Sequence, residues 1–233
     1  MQSNGRKHLF FIHPLGVNWM PGQKDMSRIA NIMPPIGLCS LAAWAEKHGH
    51  RADIHDCYAF PGRDDRIDEY LRTEQPDYVA FTTTTSSFND AARIAARIKE
   101  AYPKIKTIVG GVHVSALRER SLSGYPMFDY AVVGEGEETL LELLEHNGEA
   151  LGDIRGLVYR EGEETRFTGH RKPRLQLDEL PFPDYGKLEG YPDAYKLPIF
   201  NYPKGPGTTV VASRGCPYQC SYCDRSVFGQ SFR

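Results

Sequence analysis

No sign of charge dominates this chain. Its 28 Lys and Arg nearly balance 30 Asp and Glu, for a formal net charge of −2. The electrostatic footprint of a nucleic-acid binder is therefore missing. Long hydrophobic runs are missing as well. The first apolar stretch, Leu9–Ile12, is closed by His13 and Pro14. It is too short for a membrane span or a secretory signal and reads as a first strand. Cysteine is scarce, with five in 233 residues. Three of the five lie too close for all to pair, and nothing else speaks for secretion, so a disulfide framework has little support. The expectation is a cytoplasmic protein whose thiols stay reduced.

The cysteines that are present are concentrated. Cys216, Cys220 and Cys223 fall within eight positions, spaced C-x3-C-x2-C. Thiolates select iron–sulfur clusters, zinc or copper(I). A structural zinc site wants four protein ligands, and neither Cys nor His follows Cys223. A cubane cluster has four irons, so three thiolates leave one iron open to a small chelating molecule. Val210–Ala212 is an apolar, β-branched run that predicts a strand, with Gly215 and Pro217 as loop formers after it. A zinc knuckle and a redox thiol pair are the alternatives. The first lacks its fourth ligand, and three close cysteines cannot all pair.

Upstream, strands alternate with helices. Strands are predicted at His8–His13, Arg51–Tyr58, Asp77–Thr82, Lys106–Gly110 and Phe128–Val133, with helices at Pro35–His48, Asp65–Thr73, Asp90–Ala101 and Glu137–Glu145. Such alternation implies parallel pairing with right-handed crossovers. The fold class is α/β: a flavodoxin-like (Rossmann-like), doubly wound, parallel five-stranded sheet. Ligands bind beyond the carboxyl ends of such strands, where strand order reverses. The loops there are Pro14–Pro34, Thr82–Ser87, Gly110–Ser115 and Gly134–Glu138. Their glycines allow close backbone approach, and their hydroxyls suit a ligand with amide and phosphate groups. No G-x-G-x-x-G follows the first strand, so a dinucleotide site has little support. A hairpin is expected around Glu161–Glu163. A Pro-rich linker follows it, packed through Phe182, Tyr185, Tyr191 and Tyr195.

Two resemblances join these parts. The segment Thr208–Arg233 resembles the opening of a radical S-adenosylmethionine enzyme, where CxxxCxxC follows the first strand of a (β/α) barrel. The resemblance implies a [4Fe–4S] cluster on Cys216, Cys220 and Cys223, with S-adenosylmethionine on the fourth iron beside Tyr222. Reductive cleavage would then give a 5′-deoxyadenosyl radical. Val109–His113 (VGGVH), Gly134–Glu137 (GEGE) and Pro34–Leu38 (PPIGL) resemble the cobalamin-binding domain found ahead of many such barrels. That likeness implies cobalamin contacts at Thr82, Thr83, Thr84, Ser86, Gly110, Gly111, His113, Ser115, Gly134, Glu135 and Gly136. One departure stands out. Many cobalamin proteins carry D-x-H-x-x-G after the first strand, with the histidine on cobalt. Here His13 is followed by Pro14-Leu15-Gly16 and has no matching aspartate in the strand. His113 is the runner-up ligand, and His55 reads as a strand residue. Asp178–Pro183 matches the linker such enzymes carry.

The expected organisation is a cobalamin-binding domain over 1–150, a hairpin and linker over 151–207, and the beginning of a radical barrel over 208–233. A barrel needs roughly 200 residues, so the chain alone is expected to show no radical activity. The function implied is cobalamin-dependent methyl transfer to an unactivated centre of a small-molecule substrate. A flavodoxin or ferredoxin would be the reductant protein. A cyclase of the anaerobic tetrapyrrole type and a non-catalytic corrinoid-binding module are the alternatives.

Overall fold

A computed structural model of the chain describes residues 5–16, 32–174, 176–195, 208–218, 220–223 and 232–233. Most of the long first loop (17–31) and of the late linker (196–207) lies outside the described residues. Five strands run parallel: β1 (His8–His13), β2 (Arg51–Asp56), β3 (Tyr78–Thr82), β4 (Lys106–Gly110) and β5 (Tyr130–Val132). Their order is β2-β1-β3-β4-β5, the flavodoxin-like order that the alternation implied.

Helices cover both faces: α1 (Ile36–Lys47), α2 (Asp64–Glu74), α3 (Phe88–Ala101), α4 (Val112–Leu117) and α5 (Glu137–His146). This is why Leu9–Ile12 is apolar without alternation. Phe10 and Ile12 pack on one side with Ile67 and Leu71 of α2 and Ala91, Ile94, Ala95 and Ile98 of α3. Leu9 and Phe11 pack on the other with Leu38, Ala42 and Ala45 of α1 and Leu140, Leu143 and Leu144 of α5. A strand buried on both faces has no polar side to show. In α3 the alanines let the helix lie close to the sheet. Its Arg93 and Arg97 reach Asp64 and Asp68 of α2 at the surface, where each ion pair is worth under about 1 kcal/mol.

The structure departs from the sequence reading in four places. The hairpin does not stand apart as a connector. β6 (Leu157–Glu161) pairs antiparallel with β5, and β7 (Glu164–Phe167) with β6, so the sheet has seven strands. An exposed β5 edge would leave an apolar ladder open, and the hairpin covers it with fully buried Leu157 and Val158. Helix α4 was not foreseen, because six residues are too few to establish a period. The linker folds into short 3-10 turns at Leu177–Glu179 and Tyr185–Lys187. Tyr185 stacks on Tyr191 at 5.2 Å, and Tyr195 is buried, but Phe182 stands 95% exposed. Finally, residues 208–214 form no strand, with Val210 and Val211 at 78% and 59% exposure. No strand lies beside them among the described residues, and β-branched propensity acts only on a paired, half-buried surface.

Candidate functional site at the carboxyl edge of the sheet

Strand order reverses between β1 and β3, so the crevice of this fold opens at His13 and Thr82. Parallel register sets His13 beside Asp56, the last residue of β2. His13 Nδ1 donates to Asp56 Oδ1 at 2.8 Å, since an ionised carboxylate only accepts. The carboxylate that β1 lacks thus arrives from the neighbouring strand. Asp56 is 3% exposed and also accepts the Tyr58 amide at 2.9 Å. Its Oδ2 and the Tyr195 hydroxyl are both buried, and the hydroxyl lies within reach of the Asp56 carboxylate. Burial, then the Asp56 charge, pushes that hydroxyl pKa up.

The hydroxyl run after β3 divides in two. Thr83 is buried and donates both its amide and its Oγ1 to the Gly110 carbonyl, each at 2.8 Å. Its polar atoms are spent inside. Thr82 is half-buried, while Thr84, Thr85 and Ser86 face solvent. Thr84 Oγ1 lies 2.9 Å from Ser86 Oγ and 3.2 Å from Ser87 Oγ.

Gly111 has φ +98, and a Cβ there would lie 2.4 Å from the Thr83 carbonyl oxygen. The glycine is required by the chain's own backbone. Gly110 has no such constraint. His113 sits against Thr85 Oγ1 at 3.1 Å, its ring leaning on Phe88 at 4.4 Å. Ser115 is buried; its Oγ donates to the Gly111 carbonyl at 3.0 Å and accepts the Gly134 amide at 2.9 Å. That hydroxyl braces the β4 and β5 loops against each other. Gly134 has φ +82, and among the described residues nothing lies within 4 Å of a would-be Cβ. A Cβ on Gly136 would meet Leu41 Cδ2 at 3.2 Å.

Glu135 and Glu137 are held by arginines. Arg214 Nη2 donates to Glu137 Oε1 at 2.6 Å, and Arg214 Nη1 lies 3.5 Å from Glu135 Oε2. Arg233 is paired with Glu135 and donates to the Arg174 carbonyl at 2.7 Å. Arg214 stands two residues before Cys216. The cysteine segment is therefore docked at the same sheet edge as the hydroxyl and glycine loops. Nothing in the sequence pairs residues 77 positions apart; tertiary contact alone does.

Cys216, Cys220, Cys223 and Tyr222 are exposed, Tyr222 at 90%. Among the described residues no three Cys, His, Asp or Glu side chains are gathered into a group that could hold a metal ion. The three thiols are thus close in sequence but not converged. The donor chemistry still fits a soft-metal cluster, and such ligands are ordinarily drawn together by the metal itself. Cys39 and Cys57 offer no competition. Burial, helped by Asp184 and Asp56, pushes the Cys39 thiol up to about 12. Burial pushes Cys57 up as well.

Burial also lowers the pKa of His50, His55 and His113. Each takes a proton more readily when unfolded, so their contribution is complete above the ordinary histidine pKa of about 6.5 and is lost as pH falls. The thermal midpoint should drop between about pH 7 and about pH 5. In His55→Gln the drop should be smaller.

A family model described as the B12-binding domain matches residues 22–144. The chain belongs to that family. Its B12-binding domain lies within a longer similarity. An uncharacterised methyltransferase of Pyrococcus horikoshii is 34% identical over 217 residues, covering 91% of this chain and 46% of the relative. An anaerobic magnesium-protoporphyrin IX monomethyl ester cyclase of Cereibacter sphaeroides is 28% identical, covering 97% and 36%. The chain thus spans less than half the length of these curated relatives. Among solved structures, the radical S-adenosylmethionine methyltransferase TsrM of Kitasatospora setae, with cobalamin and a [4Fe–4S] cluster, matches with a TM-score of 0.69. Identity there is 16%, over 98% of this chain and 43% of that one. The cobalamin-dependent S-adenosylmethionine radical enzyme OxsB, with aqua-cobalamin and S-adenosylmethionine, matches with a TM-score of 0.74. Identity is 18%, over 99% of this chain and 30% of that one. At these identities the structures establish the shared fold. Among the described residues no helix is long and apolar enough to cross a membrane.

Proposed function

We propose that this chain is the cobalamin-binding and cluster-binding part of a radical S-adenosylmethionine methyltransferase. The observation that carries the reading is the docking of the cysteine segment, through Arg214 on Glu137, at the sheet edge where a B12-binding fold holds its ligand. Methyltransferase relatives add support, among them cytidylyl-2-hydroxyethylphosphonate methyltransferase of Streptomyces wedmorensis, 26% identical over 246 residues.

The rim suits a corrinoid. The backbone at Gly134 and the exposed hydroxyls of Thr84 and Ser86 would meet its amide fringe. Val112 and Leu117, 41% and 36% exposed, offer apolar surface beside His113. Thr82, Gly110 and Gly136 shape the same wall. Thr83, Gly111 and Ser115 hold the loops in place from inside. His13, oriented by Asp56, is better prepared to ligate a metal than His113, because a carboxylate fixes its tautomer and leaves Nε2 as the acceptor. Cys216, Cys220 and Cys223 would hold a [4Fe–4S] cluster, with Tyr222 near its open iron. When bound, the two groups would supply one-electron cleavage of S-adenosylmethionine and a methyl carrier; the protein's task is to place them and keep water out. The substrate is a small molecule, the reductant a flavodoxin or ferredoxin, and the setting the cytoplasm.

Reconstitution of the chain with iron, sulfide and hydroxocobalamin tests this. Both an iron–sulfur absorption and corrinoid bands are expected. Cys216→Ala should abolish the first and keep the second. A colourless, zinc-loaded protein would overturn the cluster reading, and absence of corrinoid bands would overturn the cobalamin reading. Cyclase chemistry is the second reading, favoured by cyclase relatives aligned over 97% of the chain. In the full-length protein a ring-closed product without a new methyl group would select it.

A further inference from the structure

We infer that Glu135 and Glu137 are positioning residues: they clamp Arg214 and Arg233, and so set where the cysteine loop stands relative to the corrinoid rim. The role rests on the reading of the three cysteines as cluster ligands; the docking itself does not.

The contacts converge from several directions. Glu137 opens α5 and is 7% exposed, yet its carboxylate is engaged by a guanidinium from the far end of the chain. Glu135, two residues earlier, takes Arg233 and lies within reach of Arg214. Arg214 and Arg233 also exchange backbone hydrogen bonds, at 3.0 and 2.9 Å. This closes a loop that contains all three cysteines. The Arg233 side chain is 5% exposed, and its second anchor is the Arg174 carbonyl. The Tyr185 hydroxyl donates to the Thr209 carbonyl nearer the start of the same segment. Cys216, Cys220 and Cys223 are themselves exposed, and the clamp ties the two ends of their segment to the sheet edge. The arginine side has geometry suited to the task. A guanidinium presents several donors in a rigid plane and can serve two carboxylates at once, which an ammonium cannot do with fixed direction. The carboxylate side has a second stabiliser, because Glu137 lies in the first turn of α5, where the helix dipole favours negative charge. The GEGE segment, which by resemblance belongs to the corrinoid rim, thereby joins rim and cysteine loop in four residues.

The test uses the full chain and two readouts. Chymotrypsin cleavage after Tyr218 and Tyr222 reports docking without any metal. Arg214→Ala and Glu137→Gln should each raise its rate about ten-fold, and the double variant should raise it no further, as for one shared contact. Arg214→Lys should fall between. The second readout is the electron paramagnetic resonance spectrum of the reduced, reconstituted protein. Arg214→Ala should change the cluster signal while the corrinoid bands stay put. Unchanged cleavage in both single variants would overturn the clamp. So would additive effects in the double variant, or a cluster signal that ignores Arg214. If the unaltered chain takes up no iron while cleavage responds as expected, the docking stands and the cluster reading fails.

Discussion

Gly111→Ala should destabilise the fold by ~3 kcal/mol or more, a large part of the roughly 5–15 kcal/mol available to a domain. Two effects add. At φ +98 an alanine is strained whatever the space around it, at a cost of about 1–3 kcal/mol. The space is also absent, since the new Cβ would stand 2.4 Å from the Thr83 carbonyl oxygen and 2.6 Å from its amide nitrogen. Those are backbone atoms of the β3 loop, themselves tied to Gly110. They cannot yield as a side chain would, so overpacking adds about 1–3 kcal/mol. The urea midpoint reports the loss. Gly134→Ala is the internal comparison. It has a similar φ, +82, but no close neighbour among the described residues, so it should lose only about 1 kcal/mol while weakening hydroxocobalamin binding at the proposed rim. Equal midpoints for the two variants would refute the close-approach argument.

Phe128→Ala should cost ~3–5 kcal/mol, the range for a large aromatic removed from a core. Phe128 is fully buried, edge-on to Phe81 at 6.0 Å and 5.7 Å from Phe88. It lies one layer beneath the site, since Phe88 supports the His113 ring. The cavity would therefore be felt twice: in the urea midpoint, and in weaker hydroxocobalamin affinity as Phe88 settles inward. Phe128→Leu should recover most of both. A variant that loses stability but binds hydroxocobalamin unchanged would show that the His113 platform does not depend on this core.

Gly111 also shows how function and folding become confused in a sequence. Glycines at strand ends signal close approach, but not of what. At Gly111 the approaching atoms belong to Thr83; at Gly134 no atom of the described residues approaches. Thr83 and Ser115 carry the same ambiguity, because a hydroxyl in a loop can face solvent or stitch two loops together. Three-dimensional placement separates exposed Thr84 and Ser86 from buried Thr83 and Ser115.

What the amino-acid order determined by itself is local and periodic. Apolar runs of strand length, amphipathic helices between them and the C-x3-C-x2-C spacing all act over a few residues, so the parallel sheet and the thiol set were legible directly. Long-range pairing was decided only by the tertiary structure. Asp56 reaches His13 because two strands lie side by side in register. The hairpin joins β5 because an open edge needs partners. Arg214 finds Glu137 because the chain returns to the sheet's carboxyl end. Such contacts depend on loop closure and burial rather than on neighbouring residue types, and no short window of sequence contains them.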